Sequence, residues 1–259
     1  MTQEQIKKVI DTIGGFTNKS FAPYGLFQLS WIAIAIIVSI FAFKLCYKKH
    51  LRRYFLTCGI IMLVTLIYRV IILSFKDGIL RFDLKNIPLS AFDLPVFTIL
   101  LAGIFSKGKF HDILSTFNSS FGFLLGVIVL LLPHVTPYQH IGINAQIKLN
   151  AVFSVAIAVV NLKSYAKSFK VFDFLMGCSI FFGVLVVIET VELLLDLLLN
   201  IESLCYFGHY FSVSLAVFSH LLNAFPHPIA TLTLALLVAE LSAGVYYVAY
   251  RVSTRKKRY

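Results

Sequence analysis

The sequence predicts an all-α fold: a polytopic membrane bundle of about seven transmembrane helices, with an interfacial or re-entrant segment at 204–225. Three observations lead there. Of 259 residues 59% are hydrophobic and only 14% charged, where a soluble domain carries roughly 25% charged residues. The apolar residues are grouped in runs of about 20, enough at ~1.5 Å per residue to cross ~30 Å of hydrocarbon. The basic residues, which set a net charge of +11, fall in short turns between these runs and in the tail. That placement suits anionic lipid headgroups. With no recognition motif present, it argues against a nucleic-acid partner.

The chain divides into an N-terminal piece, 1–22, a single transmembrane domain, 23–250, and a basic cytoplasmic tail, 251–259. In the first piece Ile6, Val9, Ile10 and Ile13 recur at helical spacing before Gly14-Gly15, which fits an interfacial helix or a solvated tail. The first span runs from about Leu26 to Cys46 and the second from about Tyr54 to Phe75. Residues 87–133 form a hairpin of two spans around the basic turn KGKFHD. A fifth span covers Ala145 to Tyr165, a sixth Val171 to Leu199, and the last Ile229 to Tyr250. Gly208, His209, His220 and several serines weaken a spanning role for 204–225, so a re-entrant or interfacial path is expected there.

Charge placement supports seven crossings. The basic clusters at 48–53, 107–109, 163–170 and 255–258 then share one face. The positive-inside rule makes that face cytoplasmic in a multi-pass protein of the cell membrane, with the N terminus outside.

Ionisable residues inside the apolar region are the functional candidates, because a charge there needs a partner or a polar cavity. Arg69 and Asp93 lie on consecutive antiparallel spans, each about 8–9 Å below the outer boundary, so they are expected to pair. Lys148 and Asn150 lie in the outer part of the fifth span, and Lys148 is expected to meet an acid of the sixth. Glu189, Glu192 and Asp196 share a face of the sixth span, and Glu240 lies near the middle of the seventh. More acids than bases points to a polar chamber open toward the outer leaflet, lined by Arg69, Asp93, Asn150, Glu189, Glu192 and Glu240. Pure structural pairing is the competing reading.

Other candidates carry less. His209, His220 and His227 have no metal-ligand spacing, and Cys46, Cys58, Cys178 and Cys205 form no CxxC, so neither a metal nor a cofactor is expected. Asn118, Ser119, Ser120, Gly122 and Gly126 read as a close-packing face.

The run IPLSAFDLPVFTILLAGIFSKGKFHDILSTFNSSFGFLLGVIVLLLP, followed by IGINAQIKLNAVFSVAIAVV, resembles the YwaF-like family of bacterial integral membrane proteins, which has animal relatives among multi-pass membrane acyltransferases. The shared order is Pro-Leu opening a helix, a basic turn, a Gly-rich helix ending in Pro, then Gly-Ile-Asn-x-Gln. The resemblance implies a Cys and a His at positions where this chain has Phe92 and Asn150. A thiol nucleophile with a His base would suit acyl transfer, and neither Phe92 nor Asn150 supplies that chemistry.

The leading expectation is therefore a non-enzymatic membrane protein that binds or moves a lipid or small polar solute. The alternatives are a membrane enzyme of lipid acyl transfer or hydrolysis using Ser90 or His209, and an accessory subunit pairing with another membrane protein.

Overall fold

A computed structural model describes residues 4–5, 8–9, 12, 25–45, 51–76, 79–80, 90–132, 141–165, 170–199 and 227–255. Seven apolar helices follow one another among the described residues: α1 (Leu26–Leu45), α2 (Leu51–Ser74), α3 (Leu94–Ile104), α4 (Lys109–Leu131), α5 (Ile141–Tyr165), α6 (Val171–Leu199) and α7 (His227–Arg255). Six are long and apolar enough to cross a membrane. A two-residue ladder pairs Phe75 with Leu80 and Lys76 with Ile79 after α2. Segment 204–225, with its expected re-entrant path, lies outside the described residues.

The third helix differs from the expected 20-residue span. With the 3-10 turn Ala91–Asp93 that precedes it, α3 covers only Ala91–Ile104, roughly 21 Å of axis. Local chemistry sets this start. The Ser90 hydroxyl caps the turn by accepting from the Phe92 N–H at 3.2 Å, and Pro95 stands in the first turn of α3, where its missing N–H costs nothing. Asp93 consequently sits at the entry of the helix rather than a turn or more inside it. A carboxylate there also complements the positive end of the helix dipole.

The bundle is built around two helices. In their apolar windows α4 is 78% buried and α5 72%, against 11–33% for α1, α2, α6 and α7. The outer helices turn large apolar side chains outward, such as Ile36, Ile37 and Ile40 on α1 and Val186 and Val187 on α6. Such a surface is stable against hydrocarbon and not against water. The multi-pass membrane location follows from this distribution.

Glycine sets two of the closest approaches. A Cβ on Gly59 of α2 would lie 2.7 Å from the Leu100 Cα of α3, and one on Gly103 would lie 2.7 Å from the Leu56 backbone nitrogen. The two helices therefore meet backbone to backbone, which is where dispersion contacts are densest in a membrane bundle. Gly126 does the same between α4 and α5, where a Cβ would meet the Ala151 carbonyl at 3.0 Å. The expected packing role of Gly126 holds. Added bulk at Gly122 would meet Asn118 and Phe117 of its own helix.

Within α4, residues Asn118–Gly122 form a π-turn. The Ser119 and Ser120 hydroxyls donate back to the Ser115 and Thr116 carbonyls at 2.7 and 2.8 Å. Hydroxyls bonding into the ladder in this way favour local widening of a helix. Phe117 and Phe121 stack at 5.2 Å, and Phe121 meets Phe181 of α6 at 4.9 Å, closing the core on the other side.

Candidate functional site

Arg69 and Asp93 meet as expected. Nη2 of Arg69 donates to Oδ2 of Asp93 at 2.5 Å, with both side chains buried. The pair joins the end of α2 to the start of α3, and the aliphatic stem of Arg69 continues the buried line Met62, Leu66 along α2.

One turn back along α2, Thr65 donates to Asn150 Oδ1 of α5 at 3.2 Å. Residues Phe55 and Val160 share one hydrophobic cluster nearer the other end, so α2 and α5 run antiparallel. Gln146, one turn before Asn150, then stands at the level of Arg69. Gln146 is buried, and neither its Oε1 nor its Nε2 has a hydrogen-bond partner among the described residues. The same holds for Asn150 Nδ2.

These amides belong to a longer feature. Gln146, Asn150, Ser154 and Asn161 are all buried, and their spacing places them within roughly 80° of one another around α5. Ser154 donates to the Asn150 carbonyl, and Asn161 Nδ2 donates to the Ser115 carbonyl at 3.2 Å, leaving Asn161 Oδ1 without a partner among the described residues. The result is a polar stripe through the middle of the bundle, lined by amides and hydroxyls rather than by charges. A buried amide with unmet donors and acceptors costs about 1–3 kcal/mol per group, so such a line is stable only when water or a polar ligand completes it.

Lys148 is held by backbone groups among the described residues; the side chains of Glu192 and Asp196, two of its expected partners, lie outside them. The Lys148 ammonium donates to the Val129 carbonyl and, at 3.4 Å, to that of Leu132, both at the C-terminal end of α4. Gln28 of α1 donates to the Leu130 carbonyl between them. The last turn of a helix leaves carbonyls unpaired and carries the negative end of its dipole, so a buried cation and an amide are well matched to it.

No family model, curated protein or solved structure matches this chain.

Of the remaining expected residues, the side chain of Glu192 and the whole of His209 lie outside the described residues. Glu189 is half-buried on α6, with Oε1 closed from solvent, and Leu185 one turn away packs in the same cluster as Ala91 beside Asp93. Glu192 is carried one turn further along α6. Glu240 is exposed on α7. Ser90 serves as the cap of the 3-10 turn.

One arrangement was not anticipated. His111 Nδ1 lies 2.9 Å from the Ala102 carbonyl, and Nε2 lies 3.3 Å from the Ser115 hydroxyl. A carbonyl accepts only, so Nδ1 carries the proton and Nε2 is free to accept from Ser115. That is the relation of a base to a nucleophile, although both residues are closed in, at 4% and 1% exposure. The i, i+4 spacing of His111 and Ser115 was the available sequence signal, hidden by the adjoining basic turn.

Proposed function

We propose that this protein is a non-enzymatic membrane protein that binds or moves a small polar solute or a lipid headgroup along the α5 polar stripe. The stripe is entered beside the Arg69–Asp93 pair. In this reading six long helices cross the bilayer and the short α3 makes the remaining pass only partway, 204–225 dips into or lies on it, the N terminus is outside and the C terminus cytoplasmic. The short α3 then hangs from the cytoplasmic side, and its Asp93 end marks the floor of an outward-facing vestibule.

The observation that carries the reading is Gln146: a buried amide, without a partner at either end among the described residues, level with a buried ion pair. Asp93 is matched by Arg69 and Lys148 by carbonyls, so the line itself offers neutral donors and acceptors. A neutral polar ligand or a zwitterionic headgroup fits it better than a bare ion. The resemblance to the YwaF-like family points the same way, since the chain has Asn150 and Phe92 where acyl chemistry would need a base and a thiol.

Substituted-cysteine labelling tests this reading. In a background lacking the four native cysteines, Gln146→Cys is expected to react with a membrane-impermeant thiol reagent added outside, as should the exposed Leu26→Cys. Ile99→Cys, in the sealed core, should remain unreacted. Labelling of Leu26→Cys without any labelling of Gln146→Cys would mean a dry, structural stripe.

A second reading, a membrane enzyme of acyl transfer or hydrolysis, is favoured by the Ser115–His111 contact alone. It predicts that a tagged fluorophosphonate labels the protein in membranes and that Ser115→Ala abolishes the label. An unlabelled wild-type protein rejects it.

A further inference from the structure

An apolar groove of about 460 Å³ runs between α1, α4 and α5. Its walls are formed by Ile36, Ile40 and Phe43 of α1, Leu131 of α4 and Val159 of α5. The surface it offers is apolar, and the Ser39 hydroxyl behind its wall is closed off from it. Lys44 lines one end and stands in the last turn of α1.

We propose that this groove holds one acyl chain of an anionic glycerophospholipid whose phosphate rests on Lys44. The dimensions support a lipid from one leaflet. From Lys44 back to Ile32 the groove follows α1 for roughly 18 Å, slightly more than half of the ~30 Å hydrocarbon thickness. The cation falls where such a lipid needs it. Lys44 ends the groove on the side that also carries the exposed Arg52 and Arg53, and a long lysine side chain reaches from the hydrocarbon edge toward the headgroups. A groove facing hydrocarbon is filled by chains in any case. The lysine makes one class of lipid preferred over the bulk.

The site comes with its own reporter. Trp31 is the only tryptophan in the chain and adjoins Ile32 at the deep end of the groove. The protein is reconstituted in phosphatidylcholine nanodiscs containing increasing fractions of dibrominated phosphatidylglycerol or dibrominated phosphatidylcholine, and quenching of Trp31 is recorded. For the wild type the anionic lipid should quench at a mole fraction roughly five-fold lower, the weight of one lysine at an anionic surface. Lys44→Gln should bring the two curves together, and Lys44→Arg should keep them apart. Val159→Phe, which narrows the groove without altering charge, should weaken quenching by both lipids. Coincident curves in the wild type, a preference that survives Lys44→Gln, or quenching unaffected by Val159→Phe would each overturn the proposal.

Discussion

Asp93→Ala is expected to destabilise the protein by about 3–5 kcal/mol, the usual cost of leaving one member of a buried ion pair behind. The reason is asymmetry. Arg69 and Asp93 together form a neutral, hydrogen-bonded unit, with side-chain exposures of 9% and 7%. Alone, the guanidinium remains charged in a region where neither water nor headgroups can solvate it fully. Arg69→Met should cost nearly as much by stranding the carboxylate. The double variant Arg69→Met/Asp93→Leu should therefore recover much of the loss, because two apolar side chains replace two solvation problems. Unfolding by SDS titration in mixed micelles measures all three variants and closes the cycle. If Asp93→Ala costs below about 1 kcal/mol, the pair is hydrated and the Asp93 end of α3 stands in water.

Lys148→Met should be the next most damaging change, at about 2–4 kcal/mol, the range of one or two hydrogen bonds to a buried charged donor. It removes the donor to the Val129 and Leu132 carbonyls and leaves Gln28, among the described residues, as a side-chain donor to this end of α4. Lys148→Arg keeps a cation but exchanges a compact ammonium for a planar fork, so only partial retention is expected. The same SDS titration reads stability, and amide exchange in 129–132 reads whether the helix end frays. A near-neutral Lys148→Met with unchanged exchange would mean that water already reaches these carbonyls. The end of α4 would then lie at the membrane surface.

Much of the fold was legible because lipid simplifies the physics. Hydrocarbon rewards long apolar runs wherever they occur, so helices such as Val171–Leu199 can be read directly from hydropathy. The Arg69–Asp93 contact was legible for a related reason: two opposite charges at equal depth on consecutive antiparallel helices have few other solutions. Lys148 was not legible, because its partners are backbone carbonyls and these leave no mark in the sequence. The start of α3 is harder to read, because Ser90 and Pro95 stand inside an apolar run and act as a cap and a first-turn residue. Gln146, Ser154 and Asn161 leave a weaker mark than charges do, because the polar stripe of α5 consists of neutral groups spread over 16 positions at helical spacing. Glu240 showed the limit of depth alone, since a residue at a suitable level can still face outward.

The π-turn of α4 gives one helix two orientations. Each residue advances the helix by roughly 100°, so an extra residue accommodated within a single turn swings everything after it around the axis by about that amount. Before the turn, His111 and Ser115 are aimed at the Ala102 carbonyl of α3 and at Asn161 of α5. After it, Gly126 is pressed against Ala151. Deleting one residue between Asn118 and Gly122 would restore an ordinary helix and dial its outer half out of alignment with α5. Length at this point in the chain is thus a form of angular information, as binding on the sequence as the identity of any side chain nearby.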